Sequence, residues 1–190
     1  MIIVLVSGRA GVGKDTFAYQ LGYELNIIGV DSATIHFADS LKDVATKDFD
    51  WDGKKDSRGR KLLQDVGKVG RAYNQRIWSR RTMLKISAME REDFVKDNRV
   101  YIIPDWRFPD EYAEATEFYP RALVLKVRIQ APEREQLRGM PTYDDESEVS
   151  LPEDNKLFYD YTLDNSGNIG FLSIKAREIA NTIKAYKDKE

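Results

Sequence analysis

Nine consecutive residues near the amino end carry the densest chemical pattern: Gly8-Arg9-Ala10-Gly11-Val12-Gly13-Lys14-Asp15-Thr16. The run fits G-x-x-x-x-G-K, and each part answers a need of a bound polyphosphate. Glycines let backbone N–H groups converge on phosphate oxygens and take positive φ where required. Lys14 reaches the β- and γ-phosphates, and a helix starting there adds the positive end of its dipole. The hydroxyl that often follows the lysine comes one place later, at Thr16, and Asp15 takes its position. A carboxylate there suits Mg2+, directly or through water, so Asp15 and Thr16 are candidate metal-side residues. In nucleotide switches the hydroxyl beside the lysine ligates Mg2+ itself. Its displacement turns the reading from switches towards phosphoryl transfer onto small molecules.

A second constellation, Asp105-Trp106-Arg107-Phe108-Pro109-Asp110-Glu111, follows the apolar run Val100–Ile103. Asp105 falls at the carboxyl end of a buried strand, the edge at which open α/β sheets bind ligands. It is a candidate for catalysis and for Mg2+, and Arg107 points to the same side. The alternative for Asp105 is a cap for the helix over Glu111–Glu117. Charge is also segregated. Between Lys54 and Lys85 there are 11 Lys/Arg against Asp56 and Asp65, and between Thr142 and Asp160 seven Asp/Glu against Lys156. Such runs are solvated faces or the walls of an anion site, and the pattern alone does not separate the two.

The elements that must hold these residues alternate. Apolar runs at Met1–Val6, Thr34–Phe37, Val100–Ile103, Ala122–Ile129 and Tyr159–Leu163 predict five strands. Helical spacing predicts helices over Asp15–Leu25, from Asp39 or Ser40 onward, over Arg60–Val69 and Ala72–Arg91, and over Ile169–Lys187. Strands alternating with helices give a three-layer α/β domain with a mostly parallel sheet. Leu84 and Ile174 are expected on inner helix faces. The stretches Asp48–Arg60 and Ala131–Glu153 are long for connections, and such loops are usually functional.

Composition narrows the chemistry. The chain has 190 residues, a net charge of −2, no Cys and a single His, His36. One domain is the default at this length. Thiolate zinc sites, iron–sulfur clusters, thiol nucleophiles and Ser-His-Asp triads are excluded or starved of material. Phosphoryl transfer needs positioning and charge neutralisation more than a strong base, so a chain this poor in His and Cys suits it. No apolar run approaches a membrane span, and Met1–Val6 is too short for a signal peptide. A cytoplasmic protein is expected, with His36 as a structural residue at a strand end.

In order, the GxxxxGKDT loop, His36-Phe37-Ala38-Asp39-Ser40-Leu41-Lys42, Gly59-Arg60-Lys61-Leu62-Leu63-Gln64-Asp65-Val66-Gly67, Asp105–Glu111 and Asp144–Leu151 resemble the deoxynucleoside monophosphate kinases of bacteriophages. Val127–Met140 and Asp144–Glu148 are also similar to the phosphomevalonate kinases of the same P-loop group. The resemblance implies a P-loop kinase fold over residues 1–190, an acceptor region over about 39–85 and a mobile lid over about 131–153. It implies ATP and Mg2+ as cofactors and a nucleoside monophosphate as acceptor. Gly8 to Thr16 would hold ATP, with Lys14 on the β/γ-phosphates and Thr16 towards the α-phosphate. Asp39 and Lys42 open the acceptor region, Arg58, Gln64 and Arg71 line it, and Asp105 and Arg107 stand between donor and acceptor. Arg134 and Arg138 resemble lid arginines, and Asn165 borders the adenine. Trp78 or Trp106 is the candidate to stack on an acceptor base. Lys68-Val69-Gly70 departs from the phage pattern, which carries a Thr-containing stretch there.

Two alternatives remain at the level of sequence. One is a kinase of another small phosphorylated acceptor, such as phosphomevalonate. The other is a P-loop protein that uses Lys54–Lys85 as a track for nucleic acid, disfavoured because only Tyr73 and Trp78 interleave the basic run. Small-molecule nucleotides are the expected partners, no membrane is, and a homodimer stays open.

Overall fold

The computed structural model describes residues 1–92, 99–132, 146–152, 158–167 and 170–189. The structure holds one sheet of five strands: β1 (Ile2–Ser7), β2 (Ser32–Thr34), β3 (Val100–Ile103), β4 (Leu123–Gln130) and β5 (Tyr161–Asp164). Four of them fall on the apolar runs, but β2 lies ahead of the expected Thr34–Phe37 and shares only Thr34 with it, because the N–H groups of Phe37 and Ala38 turn to the Asp105 carboxylate. Their order is β2-β3-β1-β4-β5, and every pairing is parallel. β1 lies at the centre, with Ile2 opposite both Val100 and Leu123. Its six residues are all buried, as a strand covered on both faces must be.

Side chains alternate between two cores. Ile2, Val4 and Val6 face α1 (Lys14–Ile27) and α7 (Phe171–Lys187), meeting Phe17, Leu21, Leu172 and Ile179. Ile3 and Leu5 face the opposite side, where Met83 and Ile86 of α4 (Ile77–Glu92) and Ala115 of α5 (Pro109–Phe118) pack. β1 therefore leads into a helix on one face and β3 into a helix on the other. That divergence opens a crevice at the carboxyl ends of adjacent strands. Ion pairs clamp each layer: Glu24 of α1 receives Arg177 of α7 at 3.1 Å, and buried Glu114 of α5 receives Arg80 of α4 at 2.9 Å.

The segment expected to take the acceptor folds into α2 (Asp39–Phe49), α3 (Ser57–Tyr73) and the first turns of α4. Sequence spacing ends a helix at Val69 and restarts it at Ala72; α3 instead runs on to Tyr73, and α4 begins at Ile77. The cause is a contact from outside the helix. Trp78 donates its indole N–H to the Gly67 carbonyl at 3.2 Å, and its ring lies where a Cβ on Gly70 would be 2.5 Å away. Glycine costs helix propensity, but here it lets the tryptophan sit on the backbone. At the other end Asp56 caps α3, accepting from Gly59 N at 2.8 Å, which starts the helix three residues before Arg60. Leu84 and Ile174, expected inside, are both more than half or half exposed, at 50% and 59%. The short α6 (Glu146–Val149) precedes Leu151, which is buried in the α4/α5-side core. No helix among the described residues is long and apolar enough to cross a membrane.

Replacing Gly70 by Ala puts a methyl into the Trp78 ring and should destabilise the fold by about 1–3 kcal/mol, the usual cost of overpacking. Urea unfolding followed by tryptophan fluorescence measures the loss.

Candidate active site

The glycine loop joins β1 to α1. Gly13, with φ 103°, is the N-cap of α1 and packs so closely on Asn165 that a Cβ would lie 2.8 Å from its side-chain nitrogen. Both the dihedral and the space require glycine. Asn165, expected at the adenine, is buried behind the loop and donates from Nδ2 to the Val12 carbonyl at 2.9 Å. Lys14 folds back over the loop, donating to Gly8 O at 2.7 Å and Arg9 O at 2.8 Å. Asp15 and Thr16 are exposed on the first turn of α1. Gly8 and Val12 are buried in the loop, and Arg9 is half-buried at its outer side.

Beside the loop lies a cavity of about 810 Å³ that runs to α2 and α3. Ala10, Gly11, Lys14 and Asp15 reach it from the loop, and Lys42, Gln64, Arg71 and Trp78 from the helices. Asp105 and Arg107 reach it from the turn between β3 and α5. Asp39 does not line it: this first residue of α2 accepts from the His36 backbone N–H at 3.2 Å and pairs with Lys42 and Lys85, each at 3.4 Å. Burial alone would raise the Asp39 carboxyl, but that N–H and the two lysines hold it below its ordinary value.

Two further expected residues, Arg58 and Trp106, are placed differently. Arg58 is exposed and off the cavity, and Arg60 lines the wall in its stead. The phase of α3 explains the exchange, since Arg60, Leu63, Gln64, Gly67 and Arg71 recur at i, i+3, i+4, i+7 and i+11 and all face inward. Trp106 is 1% exposed. Its ring stacks on Phe158 at 5.8 Å and meets Tyr159 edge-on, while its N–H reaches the Phe108 carbonyl at 2.9 Å, so no face is left for a base. Arg134 and Arg138, with most of the segment 131–153 expected to form a lid, lie outside the described residues. Lys55 and His36 also line the cavity. Their signal in sequence was slight: one lysine in a basic run, and one histidine after a strand.

The Asp105 carboxylate is engaged through both oxygens, accepting from Phe37 N and Ala38 N at 2.9 Å each. It ties the loop between β2 and α2 to the end of β3. Arg71 stacks its guanidinium 4.1 Å over the Phe108 ring and stands 3.9 Å from Glu146. Glu111, at the cavity floor, accepts from Arg107 N at 2.7 Å and Phe108 N at 3.0 Å. Burial pushes its carboxyl up to about 8, against the pull of those N–H groups. His36 places Nε2 3.5 Å from Asp15 Oδ1. That contact lowers the Asp15 carboxyl and raises the His36 imidazole, burial of the ring opposing the latter.

Among the described residues no three His, Cys, Asp or Glu side chains gather as a metal cage. Mg2+ does not need one, because it usually keeps waters and is carried by one or two protein oxygens with substrate phosphates. Asp15, whose side chain is 85% exposed beside Lys14, fits that demand, and the exposed Thr16 hydroxyl adds a second oxygen.

No protein-family model matches the chain, and no curated protein matches it in sequence. Among solved structures it is similar to an APS kinase of Mycobacterium tuberculosis determined in complex with AMPPNP and APS, with a TM-score of 0.51 and 14% identity over 96% of this chain and 97% of that one. It is also similar to a gluconokinase of Sinorhizobium meliloti, with a TM-score of 0.51 and 13% identity over 100% and 98% of the two chains. At these identities the likeness is one of fold: a mostly parallel five-stranded sheet between layers of helices.

Changing Asp105 to Asn removes one of two carboxylate acceptors, and hydrogen exchange at the Phe37 and Ala38 amides should accelerate by about tenfold, since a lost bond costs about 1 kcal/mol or more. Because the Glu111 carboxyl is pushed from an ordinary 4.5 up to about 8 in the fold, its protonated form stabilises the fold at low pH, and that contribution is lost as pH rises towards 8. The stability of the native chain relative to Glu111→Gln should therefore fall between pH 5 and 8, as measured by urea midpoints.

Proposed function

We propose that this chain is an ATP- and Mg2+-dependent kinase that phosphorylates a nucleoside monophosphate, giving the diphosphate. The observation that carries it is the cavity wall beside the loop, where among the described residues Lys14, Lys42, Lys55, Arg60, Arg71 and Arg107 face three acids, Asp15, Asp105 and Glu111. Such an excess of cations calls for an anionic ligand. Phe37, Trp78 and Phe108 line the same space, and flat apolar rings suit a base better than an aliphatic acceptor. Kinase architecture and the loop motif supply the donor side of the reading.

In this mechanism Lys14 exchanges the Gly8 and Arg9 carbonyls for the β- and γ-phosphates of ATP, while the loop N–H groups wrap them. Lys42, Arg60 and Arg71 hold the acceptor's phosphate and neutralise it, so that like charges can meet. One of its oxygens forms the new bond to the γ-phosphorus as the bond to the bridging oxygen of the departing ADP breaks. Arg107, between the two sides, offsets charge on the transferring group. Mg2+, when bound with ATP near Asp15 and Thr16, would supply further neutralisation. Asp105 acts on the geometry by fixing the loop at 36–38.

The test is a coupled ADP-release assay with deoxynucleoside and nucleoside monophosphates and with phosphomevalonate as acceptors. ADP release dependent on a nucleoside monophosphate is expected; release with phosphomevalonate alone would overturn the acceptor. Lys14→Ala should fold normally and lower kcat by about 10²–10³-fold, as loss of a transition-state charge contact does.

A further inference from the structure

The sequence alone makes His36 a structural residue, yet its ring lines the cavity between the donor loop and the acceptor wall. Its main chain is pinned on both sides. Ile35 N donates to Ile102 O at 3.0 Å, the His36 N–H goes to Asp39, and the next two N–H groups end on Asp105. A ring carried on backbone held this firmly is a fixed post. Asp15 is the opposite case: a short side chain on an open first helical turn, largely in solvent, with His36 as its ion-pair partner among the described residues. The other ring nitrogen, Nδ1, lies 3.8 Å from Asp39, whose carboxylate meets Lys42 of α2 and Lys85 of α4. One chain of polar contacts therefore crosses the crevice, from the first turn of α1 through His36 to α2 and α4.

We propose that His36 is a positioning residue: its ring holds the Asp15 carboxylate at the mouth of the phosphate loop, so that the metal-side oxygen of the donor site is set from the acceptor wall. Left to itself, Asp15 would swing away from incoming phosphates, which repel it; tied to His36, it waits where a cation bridging those phosphates can meet it. The inference rests on the donor side of the proposed kinase reading and on no particular acceptor.

Two measurements test it without turnover. His36 is the single histidine, so its ring gives one unambiguous set of imidazole NMR signals in the full-length protein. In the nucleotide-free chain, Asp15→Ala should shift the Nε2 resonance; an unmoved resonance overturns the contact. The second measurement is AMPPNP binding by calorimetry across a Mg2+ series. His36→Ala should raise the Mg2+ concentration for half-maximal binding by about tenfold, the lower end of what loss of a ligand-orienting partner costs. The shift should vanish in an Asp15→Ala background and shrink in His36→Gln, which keeps a donor. Equal shifts in both backgrounds, or none, would overturn the positioning role while leaving the kinase reading intact. A native chain that binds no AMPPNP at any Mg2+ concentration would overturn the donor site and this inference with it.

Discussion

Two backbone N–H groups at the open edge of the sheet, those of Phe37 and Ala38, end on the carboxylate of Asp105. Loop N–H groups that leave a strand must find partners or face water, and here one side chain from the neighbouring strand end serves both. The bond pair has consequences in three directions. It fixes where α2 begins, and with it Asp39 and Lys42. It aims the His36 ring into the crevice. It also holds the β3–α5 turn, already tied to β1 by Trp106 N on Val6 O at 3.1 Å, so Arg107 shares a cavity with the glycine loop.

The cavity walls combine close packing with charge. Trp78 lies on the glycine backbone of α3, which brings α3 and α4 together without intervening side chains. Arg71 can then extend over Phe108 while its charge faces the cavity and Glu146. Cations placed this way are supported by apolar surface along their length. An anion arriving in the cavity meets groups that are already oriented, so less ordering opposes its binding.

The loop and the sheet were legible because their signals are local. A glycine-lysine run between a strand and a helix contains its own geometry, and a buried parallel strand announces itself as an unbroken apolar run. What could not be read depends on partners far along the chain. Nothing near Gly70 states that Trp78 will lie on it, so sequence spacing alone ends the helix at Val69. Arg58 and Arg60 look equivalent until the start of α3 is known, and the cap at Asp56 sets the phase that turns only Arg60 inward. Trp106 has the chemistry to stack on a base, but Phe158 and Tyr159, some fifty residues on, close over it. Asp105 was placed at the right edge, whereas the N–H groups it receives come from a loop 67 and 68 residues earlier.

The posture of Lys14 has a consequence for selectivity among anions. Its ammonium donates to two carbonyls of its own loop, so the lysine already has acceptors within the chain. Binding is therefore a trade of hydrogen bonds, in which the newcomer must outbid neutral acceptors and not merely fill a void. A small lone anion offers the lysine one replacement and the loop amides little else. Under the proposed kinase reading, a polyphosphate chain would replace both carbonyls and span the amides in a single event, with its entropic cost met once. Such a loop would then favour long anions over short ones, since only a chain of phosphates repays every bond given up.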